Sequence, residues 1–249
     1  YTLLCFSLIM IAVSLLSAYL YCPRKVYLQN VLKFSEPTRE STLKGTVKHM
    51  VFSAFAERES SLISSIQPEH SFQDIKKLLE DAFDQELKNA IIQKKRAILR
   101  LRMEPDEFYH KVWPVFEADL DSRAKTLWDF IQKEKKYGRE LWESLTPKTK
   151  SEYSLESENL GLKGMVDQVL VYTNGVVPLE IKSSKPPEEG LWPGHKIQLA
   201  AYMVMLGDKF GTEIKKGILY YLPEEFRELY MNPFLKNDVL KTRDLVNKL

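Results

Sequence analysis

The sequence predicts a mixed α/β domain, a sheet packed between helices, and three observations carry that prediction. The first half of the chain repeats apolar residues at helical spacing, as in Trp113, Phe116, Leu120, Leu127, Trp128 and Ile131. After Thr146-Pro147 the period shortens, and Asn174-Gly175 joins two β-rich runs, Gly164–Tyr172 and Val176–Ser183, which is a strong hairpin signal. Helix, strand and helix then follow in turn, so the strands gain helical cover.

Each element has its own local reason. Residues 8–33 read as a helix broken near Cys22-Pro23, because proline stops or kinks a continuous helix. Residues 44–58 place Val47, Val51, Ala54 and Phe55 on one helical face, and 60–70 read as a polar connection. Residues 71–103 form one or two long helices that end before Pro105, and 108–142 form another amphipathic stretch. Tyr153–Leu162 reads as a strand ahead of the hairpin, and Lys185–Gly194 as a Pro/Gly-rich loop. Residues 195–207 return to helix, 217–222 form a short apolar strand, and 234–249 are helical. The expected organisation is one domain over 1–249, with 60–148 as a helical insertion.

At 249 residues the chain is long enough for a single large core, and 44% hydrophobic with 28% charged residues is ordinary globular composition. The net charge is only +2, so a nucleic-acid surface has to be a local patch. Two cysteines, Cys5 and Cys22, make no disulfide framework and point to a reducing, cytoplasmic setting. There is no G-x-x-x-x-G-K-[ST] loop and no G-x-G-x-x-G, which disfavours a nucleotide-driven motor or a dinucleotide enzyme. Tyr1–Pro23 is uncharged, and Arg24 and Lys25 follow it. A membrane anchor through residues 3–20 is therefore an alternative to a buried first helix. The buried helix is favoured, with no membrane partner expected, and the missing basic leader argues against a cleaved signal.

The hairpin concentrates the chemistry. With Asn174 and Gly175 as the central turn residues, Val169 faces Glu180 and Asp167 faces Lys182. Glu180 and Lys182 are two apart on one strand, so Asp167, Glu180 and Lys182 share a face among the apolar neighbours Val166, Leu179 and Ile181. Two carboxylates and an ammonium on an apolar strand pair are costly to bury without a purpose. A structural Asp167–Lys182 ion pair is the plain explanation, but it leaves Glu180 unexplained. Paired carboxylates suit Mg²⁺ or Mn²⁺, which could polarise a phosphodiester while Lys182 orients water or steadies charge on the phosphoryl oxygens.

Gly164-Met165-Val166-Asp167, then twelve residues, then Glu180-Ile181-Lys182 resembles the G-x-x-D … E-x-K signature of RecB-type nucleases. Gln198 to Tyr202 resembles their Q-x-x-x-Y motif, and Gly45 to His49 their G-x-x-x-H. Ser17 to Lys25 is similar to the opening of the CRISPR-associated Cas-four, or RecB-like, exonucleases of the PD-(D/E)xK superfamily. The resemblance runs over roughly residues 14 to 222. It implies a restriction-endonuclease-like mixed central sheet flanked by helices. It also implies a metal-dependent deoxyribonuclease, exonuclease-like and directed to single strands or free ends, in CRISPR adaptation or DNA repair. On this resemblance Asp167, Glu180 and His49 hold the Mg²⁺ or Mn²⁺, Lys182 is the catalytic lysine, and Gln198 and Tyr202 position DNA. CRISPR integrase proteins are the implied partners, and a homo-oligomer stays open.

The pattern departs from the family at the iron–sulfur cluster that many members hold. Cys22 stands where the first of four cysteines would be, and no cysteine follows it, so a cluster requires cysteines beyond this chain. Lys88, Lys94, Lys95, Arg96, Arg100 and Arg102 form a run without acidic residues that could track a phosphate backbone or equally be a solvated helix face. Lys185 and Trp192 could meet a single strand by charge and stacking. His70, His110 and His195 match no motif and read as surface or loop residues. The rival function is a non-catalytic nucleic-acid-binding protein with a remnant site.

Overall fold

Apolar residues on alternate positions of one central strand serve two different helical layers, and this arrangement organises the molecule. In this computed structural model, which describes residues 10–222 and 225–249, that strand is β5 (Lys216–Tyr221), with Leu219 and Tyr221 in one core and Tyr220 in the other, beside β4 (Gly175–Lys182). Leu179 and Ile181 enter the core built by helices α3 (Glu40–Ser64), α4 (Phe72–Arg100) and α5 (Pro105–Glu134). The opposite core belongs to α1 (Val13–Tyr21), α7 (Pro193–Phe210) and α8 (Pro233–Val246). The result is a mixed sheet with helices on both faces, the expected α/β class.

The sheet runs β1 (Ile11–Ala12), β3 (Leu162–Tyr172), β4, β5 (Lys216–Tyr221) and β6 (Glu225–Tyr230), with β2 (Lys148–Ser157) also pairing to β3. β3 is antiparallel to β2 and β4; β4 is parallel to β5, with α7 as the crossover between them. A strand has two edges, and β2 occupies one edge of β3 along nearly its whole length. The other edge is shared. β1 pairs at Leu162 and Lys163, and β4 pairs from Gln168 to Tyr172. Among the described residues, Gly164 to Asp167 therefore have no strand beside them on that edge, and the sheet is split there.

The helices follow from their caps and stripes. α4 opens on a reciprocal Ser71–Asp74 capping box, α5 and α7 carry proline at their first position, and Gly211 ends α7 in the left-handed region. Phe108, Val112, Phe116, Leu120, Ala124, Leu127 and Ile131 form the buried stripe of α5. Phe52, Phe55, Phe83 and Phe116 pack ring on ring where α3, α4 and α5 meet. Short helix α6 (Gly138–Ser144) adds Leu141 to a smaller cluster with Ile63, Ile66 and Ile131.

Several expectations change. The hairpin pairs Tyr172 with Gly175, so its two-residue loop is Thr173-Asn174 and Gly175, at φ 153°, opens the strand. Val169 therefore faces Pro178, not Glu180, and the register carries Asp167 toward Glu180 instead of Lys182. A shift of two residues leaves side chains on their expected face. The polar stretch after residue 60 does not stop α3, which continues to Ser64. β2 begins at Lys148, five residues before the expected Tyr153, because its polar positions Lys148, Lys150 and Glu152 mask the strand signal. β6 was not expected at all; its sequence Glu-Phe-Arg-Glu-Leu-Tyr buries only Leu229.

The described part of the expected 8–33 helix, residues 10–33, divides into β1, α1, α2 (Pro23–Val26) and a π-helical turn at Tyr27–Val31, broken at Cys22 as Pro23 requires. Val13 and Leu16 are fully buried against α7. Among the described residues no helix is long and apolar enough to cross a membrane. The first part of the alternative anchor, with Cys5, lies outside them.

Gly164 has a packing role that any side chain would obstruct. A Cβ there would lie 2.8 Å from Cε1 of Tyr202 and 3.2 Å from Cβ of Val13. Gly164→Ala is expected to destabilise the chain by about 1–3 kcal/mol through overpacking. The check is the denaturant midpoint at unchanged slope; an unmoved midpoint would show that the ring yields freely.

Candidate active site

The split in the sheet is filled by side chains. Where the β3–β4 ladder stops at Gln168 and Leu179, the Asp167 carboxylate takes over as acceptor for the Ile181 N–H at 2.7 Å. That bond fixes one carboxylate oxygen and turns the other toward α3, where Oδ1 lies 3.3 Å from Nδ1 of His49. His49 is brought in by a close helix approach. A Cβ on Gly45, one turn earlier, would lie 3.1 Å from the Ser183 hydroxyl at the end of β4. Burial alone would lower the His49 pKa, but the hydrogen bond and charge of Asp167, with Glu180 behind it, outweigh burial and raise it.

Glu180 is the most enclosed charge of the group, 3% exposed. One oxygen accepts from Lys182 Nζ at 3.0 Å and from the Gln198 amide, and Lys182 also donates to Gln198 Oε1 at 2.8 Å. The other oxygen, Oε2, is buried without a hydrogen-bond partner among the described residues. Burial pushes the Glu180 carboxyl up to about 7, with Lys182 opposing the rise and Asp167 adding to it. A native structure seldom leaves a buried carboxylate oxygen unmet. A cation beside Oε2 would satisfy it.

Gln198 and Tyr202 reach the site from successive turns of α7. Tyr202 is buried, its hydroxyl close to Gln198 and to the Met165 backbone N–H in the split of β3. Burial, then the Glu180 charge, raise its pKa, so it stays a neutral phenol. Gly164, Asp167, Gln198 and Tyr202 thus form one packed unit, because the glycine gives the tyrosine ring its room.

His49 and Asp167 line an open groove of about 800 Å³ with Gly45, Gln93, Glu152 and Ser183. Among the described residues no three His, Cys, Asp or Glu side chains are assembled into a ready cation cage. The donors come as the His49–Asp167 pair and as Glu180 with its unmet oxygen, which is the oxygen-rich set that Mg²⁺ or Mn²⁺ takes. A larger cavity, about 920 Å³, lies elsewhere among α3, α5 and α6. Several of its charged or polar side chains are engaged with one another: Tyr220 donates to Asp119 at 2.8 Å, and Arg123 pairs with Asp119 as well as with Glu59.

The other candidates are spread around this centre. Lys94, Lys95 and Arg96 lie on α4 just after Gln93, with Lys95 and Arg96 exposed, and Lys88 is paired to Asp84 at 2.7 Å. Trp192 is half exposed, its indole N–H donating to the Lys185 carbonyl at 2.9 Å. Cys22 carries a free thiol beside Arg24 and Phe34, away from the groove.

Two residues were missed. Glu152 lies between the ladder pairs Ser151–Gln168 and Tyr153–Val166, hence across from Asp167, and takes a φ of 47°. Burial, then the Asp167 charge, raise its pKa. The polar run around it hid it. His195, read as a surface or loop residue, is instead half-buried in the first turn of α7. Its spacing of three from Gln198 was the available signal.

Comparison with known proteins agrees with this geometry. The profile of the PD-(D/E)XK nuclease superfamily matches residues 10–246. The "DNA replication ATP-dependent helicase/nuclease JHS1" of Arabidopsis thaliana is 27% identical over 222 residues, 82% of this chain. The chain spans 15% of that relative's length. A solved structure described as the crystal structure of SSO0001 is 21% identical, covers 57% of this chain and 68% of its own, and superposes with a TM-score of 0.31. With the profile matched over nearly the whole chain and the split sheet presenting paired acids and a lysine, this chain belongs to the PD-(D/E)XK nuclease superfamily.

Proposed function

We propose that this chain is a divalent-metal-dependent deoxyribonuclease, and the observation that carries the proposal is the unmet, buried Oε2 of Glu180 beside Lys182. Asp167, Glu180 and His49 are the residues that would hold Mg²⁺ or Mn²⁺. Bound there, the ion would supply Lewis acidity to a phosphoryl oxygen and lower the pKa of a water molecule. Phosphodiester hydrolysis forms a bond from a water oxygen to phosphorus, breaks the bond from phosphorus to the leaving sugar oxygen, and that oxygen takes up a proton to leave as a hydroxyl.

The chain's own residues set the rest. Lys182 is held by Glu180 and Gln198, so its ammonium is pre-positioned to meet charge growing on the phosphoryl oxygens. Asp167 keeps its orientation through the Ile181 N–H, and Tyr202 braces Gln198. Lys94, Lys95 and Arg96, beyond the groove wall formed by Gln93, are proposed phosphate contacts. Half-exposed Trp192, with Lys185, favours a single strand or a free end, because an unpaired base can stack on an indole. The relative's name joins nuclease to helicase in DNA replication, which supports a replication or repair substrate above CRISPR adaptation.

Lys182→Ala is expected to lower Mn²⁺-dependent cleavage of a single-stranded oligonucleotide at least about a hundredfold. Asp167→Ala is expected to abolish it, both variants keeping the circular dichroism of the parent. Full cleavage by either folded variant would overturn the proposal. DNA binding by the parent without cleavage in Mg²⁺ or Mn²⁺ would mark the site as a remnant.

The raised pKa values of Glu180 and His49 set a pH dependence for metal binding. Both groups must release protons to become ligands, so acid competes with metal. Apparent Mn²⁺ affinity is expected to rise with pH up to about 7 and level off above it. Below that point it should fall about tenfold per pH unit for each proton displaced. Titration of cleavage with Mn²⁺ at pH 6 and pH 8 measures it; equal affinities would contradict the proposed ligand set.

A further inference from the structure

We propose that His195 is a further substrate-binding residue of this nuclease, a neutral N–H donor to a DNA phosphate oxygen beside Lys182. The inference rests on the nuclease reading and adds a residue to it. His195, Gln198 and Tyr202 follow one another at spacings of three and four, so they lie along one side of α7, and Gln198 already touches Lys182 and Glu180. Gly194 holds that first turn tightly on α1: a Cβ there would lie 2.9 Å from the Ser17 carbonyl oxygen.

One hydrogen bond bears on which ring nitrogen carries the proton. The Tyr221 hydroxyl lies 3.0 Å from Nδ1 of His195, and Tyr221 stands directly across from Lys182 in the β4–β5 ladder. A phenol is a stronger donor than a neutral imidazole N–H, so the hydroxyl is assigned as the donor to Nδ1. Nε2 at the far edge of the ring then keeps its hydrogen. Burial, followed by the nearby Lys182 charge, lowers the His195 pKa to about 4, so the ring is uncharged at neutral pH. A neutral donor suits this place. A second cation would repel Lys182, whereas an imidazole N–H adds a directed bond to phosphate at no such cost. Tyr221 is itself fixed, 1% exposed, with the Arg227 guanidinium 5.9 Å above its ring.

The experiment measures kcat and KM of the full chain on a single-stranded oligonucleotide in Mn²⁺, with melting temperatures alongside. His195→Ala should raise KM about tenfold, the loss of one hydrogen bond to a charged group. Its kcat should change by less than about threefold. His195→Gln, whose amide N–H reaches the position of Nε2, should restore most of KM. Tyr221→Phe, which frees the ring to adopt the other tautomer, should raise KM in the same direction by a smaller factor. An unchanged KM in His195→Ala with an active parent would overturn the inference and leave the nuclease reading standing. So would equal defects in the Ala and Gln variants accompanied by equal losses of melting temperature, because that pattern marks a packing role. A parent that cuts no DNA would overturn both.

Discussion

The contact between Glu180, Lys182 and Gln198 constrains everything around it. A carboxylate taken out of water is tolerated only when its charge is met and its lone pairs are used. Here the ammonium two residues along the same strand meets the charge, and the amide of α7 bonds to both partners. The position of α7 against β4 is thereby tied to the protonation state and partners of one acid. The remaining oxygen is the point at which protein alone leaves the arrangement unfinished.

The split along one edge of β3 makes room for that arrangement. Had β4 continued its ladder past Gln168, the Ile181 N–H would have been committed to backbone, and Asp167 would be one more strand residue. Because the ladder stops, Asp167 acts as an acceptor for β4 with one oxygen and faces His49 with the other. The same gap gives the Tyr202 hydroxyl room beside the Met165 backbone. The motif glycines serve this geometry through space and not through unusual torsions. Gly164 admits the Tyr202 ring, and Gly45 lets α3 approach Ser183 closely. Sequence motifs far apart in the chain are in this sense one packing problem.

The two helical layers play different parts. α7 carries Gln198, Tyr202 and the proposed donor His195, and it is buried between the sheet, α1 and α8. α3 and α4 form the groove's other wall with His49 and Gln93 and lead to the exposed basic run. A rigid wall for chemistry faces a charged wall suited to a polyanion, with the split between them. This division agrees with superfamily membership and with a net charge too small to mark the partner globally.

The sequence by itself determined the class of the fold and the shared face of Asp167, Glu180 and Lys182. Two-residue alternation is a local property, and it survived even the two-residue error in the hairpin register. It also located the helix stops at Pro23 and Pro105, because proline's effect is local too. Only the tertiary structure decided which carboxylate lies across from which, that β3 is split, that Glu152 lies across from Asp167, and that His195 sits half-buried against the Tyr221 hydroxyl. Each of those depends on where a neighbouring strand ends or a distant helix packs. A strand such as β6, whose side chains are mostly solvated, carries no apolar pattern to announce it; its place comes from hydrogen bonding to β5, which the sequence pattern does not record.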